Sequence, residues 1–119
     1  MELTIKLWTK VGKFLELHQT LLMLLPIMRK NKGCRSSHIY RDVENEEVLF
    51  LSMQWDDSDA LGMYLLSEDG GAILGVIDLL AETVKVKIGH AHPWEGIEAL
   101  KRMRPAHTQP LKKQEIETP

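Results

Sequence analysis

Leu3, Ile5 and Leu7 alternate with Thr4, Lys6 and Trp8, a period of two that predicts a strand with one face in a core. Gly12 ends it, and from Lys13 to Lys32 the period becomes helical. Phe14, Leu17, Leu21, Leu24 and Met28 recur at steps of three and four, and Leu15, Leu22 and Leu25 widen the stripe beyond one buried face. That surplus predicts contact with a second surface, either the C-terminal tail or another subunit. Pro26 cannot donate its backbone N–H, so a kink or early end is expected there. Asn31-Lys32-Gly33 reads as the stop, with the glycine as a left-handed cap. Ser37–Arg41 is the second strand, Asp42–Glu46 a polar hairpin connection, and Glu47–Trp55 the third strand. Leu49, Leu51, Met53 and Trp55 oppose Val48 and Phe50, so both faces are apolar, as in a central strand covered on both sides.

Asp56, Asp57 and Ser58 can cap a helix running to about Leu66. Gly70-Gly71 is expected to break it, and Ala72–Leu80 to add a turn or two. Thr83 to His90 is the last strand, with Val84, Val86 and Ile88 on one side and Thr83, Lys85 and Lys87 on the other. The order β-α-β-β-α-β predicts an α+β, ferredoxin-like fold with a four-stranded antiparallel sheet. The first and third strands should be central, the second and fourth at the edges, and the helices on one face. Residues 1–92 form the expected domain and 93–119 an extension. Pro93 opens a short helix over 94–104 in which Trp94, Ile97 and Leu100 share a face, and a mobile polar tail follows.

Composition narrows the function. A chain of 119 residues with net charge −2 has no basic field for nucleic acid. Its most apolar run, Leu21–Met28, is far below the roughly 20 residues of a membrane span. Glu2 stands where a secretory signal carries basic residues, and the single Cys34 cannot form an internal disulfide; the cytoplasm is the expected compartment.

Gly33-Cys34, Tyr40-Arg41-Asp42, Trp55, Ala60-Leu61 and Ser67 together resemble the antibiotic biosynthesis monooxygenase family, over about the first 90 residues. The resemblance implies a dimeric α+β barrel, in which two sheets pair face to face and Thr83, Lys85 and Lys87 line or rim the barrel. It also implies a substrate pocket between helices and sheet, and oxidation of polycyclic or quinol-type aromatics without metal or flavin. A haem-degrading branch carries tryptophan and histidine where this chain has Tyr64 and Leu74, and an asparagine near Ile5 or Lys6. Leu74 cannot ligate iron, so no haem is expected.

The candidate chemistry is thin. Tyr64 is the expected catalytic residue and, with Trp55 and Met53, the expected substrate-binding set. Tyr64 reads equally as a hydrogen-bond partner or a partly buried core residue, and Trp55 as a pocket wall or a core anchor. Cys34 has no visible base to activate it. His90 and His92 share a strand face but are too few for zinc, so no metal or other cofactor is expected. Gly70, Gly71 and Gly75 follow a helix rather than a strand and are no phosphate loop. The function expected is a cofactor-independent monooxygenase of a small apolar aromatic or quinol-type molecule; the alternative is a non-catalytic dimeric ligand-binding or assembly module. The expected partners are a second copy and a small apolar molecule, with no nucleic acid and no membrane.

Overall fold

The computed structural model describes residues 1–89 and 93–105. Strands β1 (Glu2–Thr9), β2 (Cys34–Arg41), β3 (Val48–Trp55) and β4 (Ala81–Ile88) form one antiparallel sheet in the order β2-β3-β1-β4. Helix α1 (Phe14–Arg29) connects β1 to β2. Helices α2 (Ser58–Leu66) and α3 (Glu68–Leu80) connect β3 to β4, and the short α4 (Glu98–Arg102) follows. This is the expected ferredoxin-like α+β fold, with the central and edge strands as expected.

Strand alternation decides where the core lies. Leu3, Ile5 and Leu7 join Leu49, Leu51, Met53 and Trp55 beneath Leu17, Leu21 and Met28 of α1 and Leu61, Leu65, Ile73 and Ile77 of α2 and α3. All the helices that cover the sheet lie on this side. Among the described residues no helix covers the other side of β3, where Phe50 is only partly buried although Val48 at the strand's start is buried. Helix α1 runs through Pro26 and stops at Arg29, short of the expected Lys32. The amides of Lys30 and Asn31 and the Asn31 side chain close its last carbonyls.

Three expectations are corrected. The helix after β3 breaks at Ser67, not at Gly70-Gly71, and α2 and α3 bend by 76°. Ser67 Oγ accepts from the Gly70 amide, so the glycines lie within the first turns of a 13-residue helix. Gly70 is required by proximity, because a Cβ there would overlap the Tyr64 carbonyl and stand 2.7 Å from Leu65 Cα. Secondly, Trp94 is not in the terminal helix. Glu95 exchanges two 2.7 Å backbone hydrogen bonds with Val86, which holds this segment extended along the β4 edge, and Trp94 is 41% exposed. Thirdly, of the two surfaces expected against the α1 surplus, the segment with α4 is not the one: it docks on α2 and α3. Ala99 and Leu100 are buried in the common core, Arg104 Nε donates to the Leu65 carbonyl at 2.9 Å, and Lys101 pairs with Asp78. Leu15, Leu22, Met23 and Ile27 of α1 remain exposed.

The readings of His90, His92 and the tail beyond Pro105 fall outside the described residues. Among the described residues no single helix is long and apolar enough to cross a membrane; the bent pair α2–α3 reaches that length and hydropathy only together.

Candidate functional site

Two turns at one end of the sheet, distant in sequence, meet to form a cleft of about 460 Å³. One is the Asn31–Gly33 turn after α1; the other is the β3–α2 turn with Asp56 and Asp57, continued by Asp59 in the first turn of α2. Gly33 has φ +89°, and a Cβ on it would come within 2.6 Å of Ala60 Cβ, so only glycine lets the turn rest on α2. The Asp56 amide donates to the Gly33 carbonyl at 2.8 Å, and Arg35 Nε donates to Asp56 Oδ1 at 2.7 Å. These bonds tie the two lips together. Asp57 Oδ1 accepts from the Ala60 amide as the helix cap, as its sequence position predicts.

One helical turn past Ala60, Met63 and Tyr64 complete the wall. Tyr64 is 3% exposed and its ring lies 5.0 Å from that of Trp55, which is fully buried behind it. Burial pushes the Tyr64 phenol well above the ordinary range, with the charge of Asp69 and then Cys34 adding to the effect. The group is therefore a neutral donor at physiological pH. Among the described residues it has no hydrogen-bond partner. The bend at Ser67 holds it in place: Ser67 Oγ donates to the Tyr64 carbonyl while Gly70 packs against that same backbone.

Of the expected binding set, only Tyr64 lines the cleft. Trp55 stands behind Tyr64, its Nε1 buried without a partner among the described residues, and Met53 lies in the core away from the cleft. Cys34 is half-buried, with Sγ 3.3 Å from Ser37 Oγ. The lining positions Asp59, Ala60 and Met63 escaped the reading of the sequence, although with Tyr64 they share one helix face at spacings of three and four. Among the described residues no group of three or more His, Cys, Asp or Glu is placed to hold a metal ion.

The sequence model of the family described as antibiotic biosynthesis monooxygenase matches residues 2–72, more than half of the chain. The chain belongs to the antibiotic biosynthesis monooxygenase family. Solved structures agree on the fold. Protein PA3566 of Pseudomonas aeruginosa superimposes with a TM-score of 0.67 at 21% identity, over 72% of this chain and 87% of its own. A structure described as an antibiotic biosynthesis monooxygenase gives 0.69 at 15% identity, over 77% and 98%. Rv0793 of Mycobacterium tuberculosis gives 0.65 at 17%, over 76% and 95%. A comparison with curated proteins gives no match. The matched region includes the cleft and the Ser67 bend, while β4 and α4 lie beyond it.

Proposed function

We propose that the chain is a cofactor-independent monooxygenase that binds a small, mostly apolar aromatic molecule of the phenol or quinol type in the cleft beside Tyr64. The observation that carries this reading is the buried, neutral phenol of Tyr64 on the cleft wall, with no partner among the described residues. A hydrogen bond from it to a substrate oxygen strengthens as that oxygen gains negative charge, which is how a fixed donor favours the transition state. The substrate supplies the electrons. A ring methylene loses a proton to form a carbanion delocalised onto the phenolic oxygen, and this meets dioxygen. The carbon ends as a carbonyl holding one oxygen atom, and the other oxygen leaves as water with the two methylene hydrogens. Electrons balance without a further reductant, so the protein's part is positioning, desolvation and the Tyr64 donor.

A second copy of the chain covers the open face of the sheet in this reading, supported by Tyr40, which that face leaves exposed, and by Phe50 and Trp8, which it leaves half-buried. The free Cys34 supports a reducing compartment, the cytoplasm. The rival reading is a ligand-binding module without turnover, and it is favoured by one observation. The lining carboxylates are exposed, and Asp56 and Asp57 are already engaged with Arg35 and the α2 amides. Oxygen uptake with an anthrone probe separates the two. An enzyme consumes one dioxygen per anthraquinone formed, survives chelators, and slows in Tyr64→Phe; a binding module binds the probe without raising uptake over buffer.

A further inference from the structure

The cleft beside Tyr64 changes in chemistry from its inner wall to its rim. On the inner wall Tyr64 is 3% exposed and has no hydrogen-bond partner among the described residues. The sealed side-chain atoms without a partner are, among those residues, Thr9 Oγ1 and Trp55 Nε1. The Tyr64 oxygen is not one of them, so its remaining access is by way of the cleft that the residue lines. A buried donor left open on one side is completed by a ligand oxygen.

The rim is acidic, and its three carboxylates are not equivalent. Arg35 Nε holds Asp56 Oδ1 at 2.7 Å, and Asp57 Oδ1 is taken by the Ala60 amide. Both therefore work within the fold. Asp59 lines the same cleft, is exposed, and has neither an ion pair nor a side-chain hydrogen bond among the described residues. It stands in the first turn of α2, five residues before Tyr64, a rise of about 7.5 Å along the helix. Between them Met63 is exposed on the cleft wall, an adaptable apolar side chain for a ring to rest against. Along α2 the wall thus presents a free carboxylate, a thioether and an unpartnered phenol.

We propose, resting on the phenol-type reading above, that the preferred ligand of this cleft is a phenol carrying a protonated amine on a short arm, and that Asp59 selects it. The phenol oxygen takes the hydrogen bond of Tyr64, the ring lies against Met63, and the ammonium reaches Asp59. One aromatic ring with a two-carbon arm matches the rise between the two residues. A carboxylate on the same arm meets the unpaired charge of Asp59 and is disfavoured. Lys32 on the opposite lip offsets this only in part, because its hydrated ammonium stands exposed at the end of a flexible stem.

Three ligands of one shape test the charge separately from the ring. On the same phenol and two-carbon arm, tyramine carries an ammonium, phloretate a carboxylate and para-ethylphenol no charge. In calorimetric titration of the full chain at neutral pH and low salt, tyramine should bind about three- to fivefold tighter than para-ethylphenol, the worth of one exposed ion pair. Phloretate should bind more weakly than either, and the spread should shrink in concentrated salt. Asp59→Asn should bring tyramine to the level of para-ethylphenol. Equal affinities for the three in the wild-type chain, or a preference for phloretate, overturn the selection of an amine. A tyramine preference that survives Asp59→Asn overturns the role of that residue. If none of the three binds, the phenol-type reading of the cleft itself fails, and the amine preference falls with it.

Discussion

The two faces of this sheet are made from the same strands and behave as different materials. On the helix side, Leu51 and its neighbours are fully buried by the chain's own helices, and the core is complete within one copy. On the open side, Phe50, one residue away, is only partly buried, with Lys6 Nζ 5.4 Å from its ring centroid. Period-two alternation writes both faces into one segment, so an apolar residue in β3 does not by itself say what it packs against. The helix side explains the fold and, at its end, the cleft. The open side carries Trp8, Tyr40 and Phe50, which a second copy covers in the proposed dimer.

The comparison breaks most sharply on that adjacent pair. Leu51→Ala should cost roughly 3 kcal/mol in urea unfolding, as a large-to-small change in a closed core. Phe50→Ala should cost about 1 kcal/mol or less when measured below the dimer dissociation constant, its main loss appearing in self-association. Equal losses in the two variants under those conditions would erase the distinction between the faces. Next comes Gly33→Ala, where a positive φ and contact with Ala60 combine. We expect about 2 kcal/mol of destabilisation and a displaced cleft lip, visible as altered amide shifts at Asp56 and Ala60. An unchanged melting temperature would show that the two turns do not depend on each other.

A smaller effect concerns pH. The folded state raises the Tyr64 phenol above its ordinary value of 10.0, so above that pH the unfolded chain releases a proton that the folded chain retains. Stability is thus intact below about pH 10 and falls as pH rises beyond it. Tyr64→Phe should flatten this part of the alkaline stability profile while altering neutral-pH stability little. If the profile is the same in both proteins, Tyr64 is not the group responsible.

How much of this was legible in the sequence follows the range of the interactions. The strands, the α1 stripe and the Asp57 cap are local patterns, and the structure repeats them; Gly33 has the expected positive φ but in the turn before β2 rather than as the helix cap, because α1 already ends at Arg29. The Ser67 bend was misread because paired glycines usually interrupt helices; here Gly70 admits the Tyr64–Leu65 backbone, a demand set by packing between α2 and α3. Ser67 followed by two acidic residues was the overlooked sign of a helix start. Trp94 was misplaced because the bonds between Glu95 and Val86 are non-local and carry no side-chain signature. The cleft was only partly legible for a related reason. Tyr64 could be picked out on its helix, but its partners come from a turn some thirty residues earlier, and only close approach of Gly33 to Ala60 brings them together.

The central claim is that this cleft holds an aromatic ligand through Tyr64, and calorimetric titration with 1-naphthol tests it most directly. The account predicts saturable binding at one site per chain. Tyr64→Phe should weaken it by up to about tenfold, the worth of one hydrogen bond, and Ala60→Phe, which fills the cleft, should abolish it. No saturable heat, or binding that survives both substitutions unchanged, would contradict the account.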